Sequence, residues 1–451
     1  LKIMELEEEW TEYPVIRLDM SGAGATAAEI KDYLNLEFSK YEALYGIKPK
    51  ETSRESVRLQ VILDTAYQKT GKQVVVLIDE YDSPLQHSWK TPEHKGCTEV
   101  YRSVFSVLKL KGNVLRFVFI TGITKFTQIS LFSVLNHLTN ISFLPQFAPL
   151  CGITEEEMAV NFAPELEALA DKMECSFEEA HDKLKTYYDG YHFSDENMTD
   201  IYNPFSLLNA LSQLRLRNYW ISSGATSMLN KFVNNMELRL HDFEDCYIDK
   251  DTLETSDVIE GGAELFLYQT GYLTIKGFDE DGYSLGFPNE EVRKALYKAV
   301  LPALTQKDIT DIVSIQSKLM HSLNNGNLEE AKKCMKSLIS NVPYSNKKLA
   351  SMDMEERYRL IISTILNAIG CQVEVEHMLS TGRIDIVAST SRFIYVMELK
   401  LSNNGGLEAA EKQIISNGYL KPFLAEGRKV IGLAVELDDM GKGLIDWKEV
   451  K

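Results

Sequence analysis

The stretch GRIDIVASTSRFIYVMELK, residues 382–400, decides how this chain folds at its C-terminal end. Two apolar runs flank the short polar turn STSR, the pattern of a β-hairpin. Glu398 and Lys400 are two residues apart in the second run, so they share one face of a strand. In the register of such a hairpin Asp385 falls almost opposite Glu398. Three charged side chains therefore converge within strands otherwise built from Ile384, Ile386, Val387, Val396, Met397 and Leu399. A lone E-x-K is ordinarily a solvated surface pair. Charges set inside apolar strands are costly unless they are paired or bind a metal.

The surroundings extend the pattern. A helix is predicted over Met354–Gly370, strands over Cys371–His377, Ile384–Ala388 and Phe393–Leu399, a helix over Glu408–Tyr419 and a strand over Lys429–Val435, in the order αβββαβ. Two hard carboxylates at Asp385 and Glu398 suit Mg²⁺ or Mn²⁺, with coordination positions left for water and phosphate. Such a metal lowers the pKa of its water and stabilises charge on phosphorus. Lys400 is placed to orient that water or to balance phosphate charge.

These residues resemble the PD-(D/E)XK nuclease superfamily. The phrases GRIDIV and YVMELK, followed by Gln413 and NGYLKPF, are similar to the nuclease domain that ends a bacterial group of AAA-ATPase-like proteins. The resemblance implies that Asp385 and Glu398 are metal ligands and Lys400 is catalytic. It further implies that Glu356 is the acid of the preceding helix, and that Gln413 and Tyr419 belong to a helix motif of related nucleases. Taken alone, Glu356 is equally an acid favoured by the helix macrodipole.

Upstream, VVVLIDE (Val74–Glu80) is a continuous apolar run ending in two acids, as in a central parallel strand buried on both faces. LRFVFITG (Leu115–Gly122) is a second such run. With the strand YPVIRLDM (13–20) and helices over about 27–67 and 97–110, this is the grammar of a parallel α/β sheet. VVVLIDEYDSPL reads as a Walker B strand, with Asp79 toward Mg²⁺ and Glu80 toward the attacking water. Alone, such a strand end is more often a pair of loop acids. The block TGITKFTQISLFSVLNHLTNISFLPQFAPLCGITEEE, together with YYDGYHF, YNPFSLLNAL and YWISSGATSML, resembles the same AAA-ATPase-like family, and Thr121 then stands at its γ-phosphate sensor position. No G-x-x-x-x-G-K-[ST] occurs in the 451 residues. The chain opens on Leu1 in what reads as mid-helix, so a fragment that lacks its phosphate-binding loop and binds ATP poorly is expected.

The expected organisation is an AAA-ATPase-like region over 1–215, a mixed and largely helical region over 216–345, and the nuclease-like domain over 346–451. The boundary is placed in the polar, proline-bearing NVPYSNKKLAS. The net charge of −18 argues against a surface coated for non-specific nucleic-acid binding. Six cysteines without a CxxC pair fit a reduced cytosolic protein, and no apolar run approaches the ~18 residues of a membrane span. The histidines show no metal-ligand spacing. The expected partner is nucleic acid, DNA ahead of RNA, and Arg383, Arg392, Lys412, Lys421, Arg428 and Lys429 should line one face if it binds there. Two functions remain open: an ATPase module coupled to a metal-dependent nuclease, or a catalytically silent regulatory or nucleic-acid-binding protein that keeps both folds.

Overall fold

The structure is a computed structural model. It describes residues 9–48, 54–124, 138–220, 243–255, 261–305, 309–340 and 352–450, with Met4 and Leu229 besides. Part of the 121–157 block, residues 221–228 of YWISSGATSML and the boundary at 342–351 lie outside the described residues. The chain divides into two compact units. One takes Leu1–Leu144, Ile248–Gly271 and Asp279–Gly282. The other takes Pro145–Tyr247, Tyr272–Phe278 and Tyr283–Lys451.

The first unit holds a parallel sheet of three strands, β1 (Val15–Asp19), β2 (Val74–Asp79) and β3 (Leu115–Ile120), with β2 in the centre. Ile16 and Leu18 of β1, and Val74, Val76 and Ile78 of β2, are buried. The helices between the strands are α1 (Ala27–Leu44), α2 (Glu55–Thr70), α3 (Ser83–Ser88) and α4 (His94–Leu110). The single helical stretch expected over about 27–67 is in fact two helices. Chain turning is fixed at Gly46, whose φ of +60° a glycine adopts without penalty. Thr26 and Glu29 start α1 with a capping box. Arg58 of α2 holds the buried Glu42 of α1 through Nη2 at 2.6 Å.

The second unit begins with α5 (Glu155–Asn161), α6 (Ala163–Met173), α7 (Phe177–Tyr188) and α8 (Pro204–Gln213), packed around Met158, Leu166, Leu184, Tyr188, Tyr202 and Leu207. The YYDGYHF segment braces this bundle. The Tyr188 hydroxyl donates to the Arg217 carbonyl at 2.8 Å, and the His192 ring bridges Asp200 (2.7 Å) and the Ile275 carbonyl (2.9 Å). Three further helices follow: α9 (Glu290–Thr305), α10 (Ile309–Asn324) and α11 (Leu328–Ile339).

The C-terminal part of this unit is α12 (Met354–Ile369), β4 (Gln372–Leu379), β5 (Gly382–Ser389), β6 (Phe393–Leu401), α13 (Gly406–Asn417), β7 (Lys429–Leu437) and β8 (Leu444–Val450). The sheet order is β8-β7-β6-β5-β4, with β6 and β7 parallel and the other neighbours antiparallel. The expected αβββαβ frame is present, with β8 added at the edge. Helix α9 packs on α12, where Arg293 Nη2 donates to Asn367 Oδ1 at 2.7 Å, and α11 packs on β8, where Lys332 Nζ pairs with Asp446 at 2.9 Å. Both regions therefore belong to one compact unit. Among the described residues no helix is long and apolar enough to cross a membrane.

Candidate active site

The hairpin of β5 and β6 pairs Ile386 with Met397, Val387 with Val396 and Ala388 with Tyr395. One further step in that register sets Asp385 against Glu398. The ladder opens at that step, and the Asp385 side chain takes over. Its Oδ2 accepts from the Leu399 backbone N–H at 2.8 Å, and its Oδ1 accepts from Arg359 Nη1 at 3.1 Å.

Glu398 is 1% exposed. Its Oε1 accepts from Lys400 Nζ at 2.9 Å, while Oε2 is buried without a hydrogen-bond partner. Lys400 Nζ also donates to the Leu399 carbonyl at 3.0 Å and stands 3.8 Å from Glu355 Oε1. Burial pushes the Glu398 carboxyl up to about 7; the charge of Asp385 adds to the rise and Lys400 pulls it back. Burial alone would lower Lys400, but the hydrogen bond to Glu398 and the surrounding carboxylates win, so its pKa is raised. Burial also raises Glu355, opposed by Lys400 and reinforced by Asp385.

Glu355 and Glu356 both lie in the first turn of α12, where Asp353 caps the Glu356 N–H at 2.8 Å. The carboxylate that reaches Lys400 is that of Glu355, one residue before the acid expected from the motif. Gln413 hydrogen-bonds the Tyr419 hydroxyl at 3.3 Å rather than an acid of the cluster. Tyr419, 1% exposed, donates to the Arg383 carbonyl at 2.9 Å, two residues before Asp385. The pair thus ties α13 to the start of β5. Gly382 makes this contact possible: its φ is +152°, and a Cβ there would stand 2.7 Å from the Tyr419 hydroxyl.

Three of the basic residues stand apart from the acids. Arg392 lies in the hairpin turn, Lys429 pairs with Phe393, and Arg428 donates to the Thr390 carbonyl, all at the end of the sheet away from Asp385. Four residues along a strand is about 13 Å. Arg383 lies beside the acids, paired with Glu376 at 3.0 Å.

A divalent cation fits this donor set. Two acidic side chains stand opposite each other on the adjacent strands β5 and β6, and one carboxylate oxygen, Glu398 Oε2, is buried and unpartnered. Among the described residues no group of three or more His, Cys, Asp and Glu side chains makes a ready cage. Two protein carboxylates with the remaining positions left to water and phosphate is the arrangement Mg²⁺ ordinarily takes.

In the first unit, Asp79 and Thr121 meet at the C-terminal edge of the parallel sheet, where Thr121 Oγ1 donates to Asp79 Oδ1 at 2.6 Å. Arg17 Nη2 is 3.7 Å from Asp79 Oδ2. Glu80, at φ +48°, turns the chain out of β2, and burial with the charges of Asp82 and Asp79 raises its pKa. Asp82 was not singled out in the sequence. It is 1% exposed and accepts from the Ile123 and Thr124 backbone N–H groups, the Thr124 hydroxyl and Gln86. A second acid three residues after a Walker-B-like strand end is the only trace it leaves in the sequence. A cleft of about 460 Å³ nearby is lined by Ser21, Gly22, Gly24, Ala25, Glu29 and His87, without Asp79 or Glu80. Another of about 490 Å³ is lined by Gly326–Glu329 and Trp447–Glu449, away from the Asp385 cluster.

Comparison with known proteins agrees with the geometry. A family model described as "Predicted AAA-ATPase" matches residues 1–132, and one for the PD-(D/E)XK nuclease superfamily matches residues 353–447. A protein of Azotobacter chroococcum mcd 1, named "Uncharacterized protein in vnfD 5'region", is 27% identical over 98% of this chain and 85% of its own length. No solved structure matches. The chain therefore carries an AAA-ATPase-like domain at its N-terminal end and a PD-(D/E)XK nuclease superfamily domain at its C-terminal end.

Proposed function

We propose that the C-terminal domain is a metal-dependent nuclease acting on nucleic-acid phosphodiesters, DNA ahead of RNA, coupled to the ATPase-like unit. The observation that carries this reading is the buried, half-unpartnered Glu398 beside Asp385 and Lys400. Asp385 and Glu398 would hold Mg²⁺ or Mn²⁺. When bound, such a cation supplies Lewis acidity and a water of lowered pKa. Lys400, held by Glu398 and the Leu399 carbonyl, would supply a fixed positive charge to balance that of a phosphate. Glu355, 3.8 Å from Lys400, is a helix acid that helps to balance it, beside Glu356 as the acid of the motif. Gln413 acts through Tyr419 by fixing the strand that bears Asp385. In the first unit, Asp79 and Thr121 would face a nucleotide's γ-phosphate and Mg²⁺, with Glu80 toward the attacking water. With no G-x-x-x-x-G-K-[ST] in these residues, ATP binding by this chain is expected to be weak.

The test is cleavage of duplex DNA, single-stranded DNA and RNA in Mn²⁺, with Glu398→Ala as control. Cleavage that needs both Mn²⁺ and Glu398 supports the reading. Equal cleavage by the variant refutes it. A second reading, a silent binding or regulatory protein that keeps both folds, is favoured by the Arg359 ion pair that occupies Asp385 and by the net charge of −18. Binding of nucleic acid without cleavage in Mn²⁺ would select it.

A further inference from the structure

The cation that occupies Asp385 comes from α12. Arg359 lies one turn beyond Glu355, so the two side chains leave the same face of the helix. Glu355 meets Lys400, and Arg359 meets Asp385. A single guanidinium nitrogen, Arg359 Nη1, stands 3.1 Å from Asp385 Oδ1 and 3.1 Å from Glu376 Oε1. The Arg359 and Asp385 side chains are 12% and 7% exposed, and that of Glu376 is 38% exposed.

Glu376 is the cross-strand neighbour of Asp385. Ile384 pairs with His377 and Ile386 with Val375, which leaves Glu376 opposite Asp385 with the ladder interrupted between them. Like charges placed directly opposite on a sheet repel. Glu376 also has φ +56°, a left-handed conformation inside a strand that is unfavourable for a non-glycine residue. That strained backbone is held where it keeps the Glu376 carboxylate on Arg359 and Arg383.

We infer that Arg359 is a positioning residue that neutralises Asp385 in the metal-free site and is retained by Glu376 when a divalent cation takes Asp385. This inference rests on the metal-dependent reading of the site. Asp385 has one oxygen on the Leu399 N–H and the other on Arg359. A cation shared between Asp385 and Glu398 must therefore displace the guanidinium or be repelled by it. The guanidinium has no need to enter solvent, because its second carboxylate is already at bonding distance. Glu376 stores Arg359 at the edge of the site, and its strained backbone marks that task. Arg359 and Glu376 then act on metal affinity in opposite directions. Loss of Arg359 removes a competitor. Loss of the Glu376 charge leaves Asp385 as the one carboxylate of the two at ion-pair distance and strengthens the competition.

The experiment is Mn²⁺ binding to the full chain by titration calorimetry, checked by the electron paramagnetic resonance of free Mn²⁺. It compares wild type, Arg359→Gln, Glu376→Gln and Glu398→Gln, and thermal melting is recorded with and without Mn²⁺. Arg359→Gln should bind Mn²⁺ several-fold more tightly, melt lower without metal and gain more from Mn²⁺ than wild type does. Glu376→Gln should bind several-fold more weakly. If both variants weaken binding together, Arg359 is only a structural brace and the inference is overturned. If Arg359→Gln does not fold, Glu376→Gln decides alone, and binding as tight as wild type overturns the inference. Wild-type binding that Glu398→Gln does not diminish would instead refute the metal site itself, and the inference with it.

Discussion

Glu398 accepts a hydrogen bond from Lys400 through one carboxylate oxygen and keeps the other buried and unpartnered. The pair is therefore only half of what a buried carboxylate needs. Leaving an acceptor oxygen unsatisfied disfavours the ionised form. Burial, with Asp385 close by, accordingly pushes Glu398 from 4.5 up to about 7.

A pH dependence of stability follows. The folded pKa lies above the unfolded one, so the folded state holds the proton more tightly. The cost of ionising Glu398 is absent below about pH 4.5, grows as pH rises toward 7, and is complete above 7. Glu398→Gln should therefore stabilise the metal-free protein by about 3 kcal/mol at pH 8 and by little at pH 4.5. Lys400 keeps Glu355 as a neighbour at 3.8 Å in that variant. Thermal denaturation in EDTA across this range is the measurement. An equal gain at both ends would mean that the charge of Glu398 is not the cause.

Mn²⁺ and the proton compete for the same oxygens. Metal affinity should rise with pH up to about 7 and then level off, as Glu398 completes its ionisation. Calorimetric titration at several pH values tests this, and a flat profile through 7 would exclude Glu398 as a ligand.

Met397 separates stability from metal binding. It precedes Glu398 on β6, is 1% exposed, and pairs with Ile386 and Leu433 on the adjacent strands. Met397→Ala should lower stability by roughly 2–5 kcal/mol through the cavity it leaves. Mn²⁺ affinity of the folded variant should be unchanged, because the side chain is on the opposite face from Glu398. Denaturant unfolding alongside Mn²⁺ titration reads both. Loss of metal binding without loss of stability would contradict the assignment of faces.

The hairpin was legible because a strand has only two faces. Once the short polar turn STSR is read as the hairpin's turn, counting back along both strands sets Asp385 against Glu398. Other features were hidden for identifiable reasons. In β8 the buried residues are Leu444, Trp447 and Val450, a period of three that does not announce a strand. Glu355 and Glu356 are equally good first-turn acids, and nothing in their spacing told that Glu355 stands 3.8 Å from Lys400. Arg359, Glu376 and Asp385 come from three elements, and no spacing in the sequence joins them. In the first unit, VVVLIDE and FVFITG identified the sheet edge, because continuous apolar runs fit strands covered on both faces. Asp82 went unnoticed because its partners, the N–H groups of Ile123 and Thr124, lie about 40 residues away.

Asp79 and Asp82 should respond to mutation in opposite ways. The Asp79 side chain is half exposed, with one hydrogen bond from Thr121 and a loose ion pair to Arg17. Asp82 is buried and satisfies two backbone N–H groups and the Thr124 hydroxyl at the end of β3. Asp82→Ala strips buried donors of their acceptor, at about 1–3 kcal/mol for each group left unpaired. It should therefore lower the melting temperature markedly and expose the 115–124 segment to protease. Asp79→Ala removes a surface-edge carboxylate whose interactions are screened by water, and it should change stability by less than about 1 kcal/mol. If Asp79 serves a nucleotide, that variant should instead weaken any Mg²⁺-dependent binding of ATP, read by calorimetry. A stability loss at Asp79 as large as that at Asp82 would make Asp79 a structural residue and remove the main support for a nucleotide site at this edge.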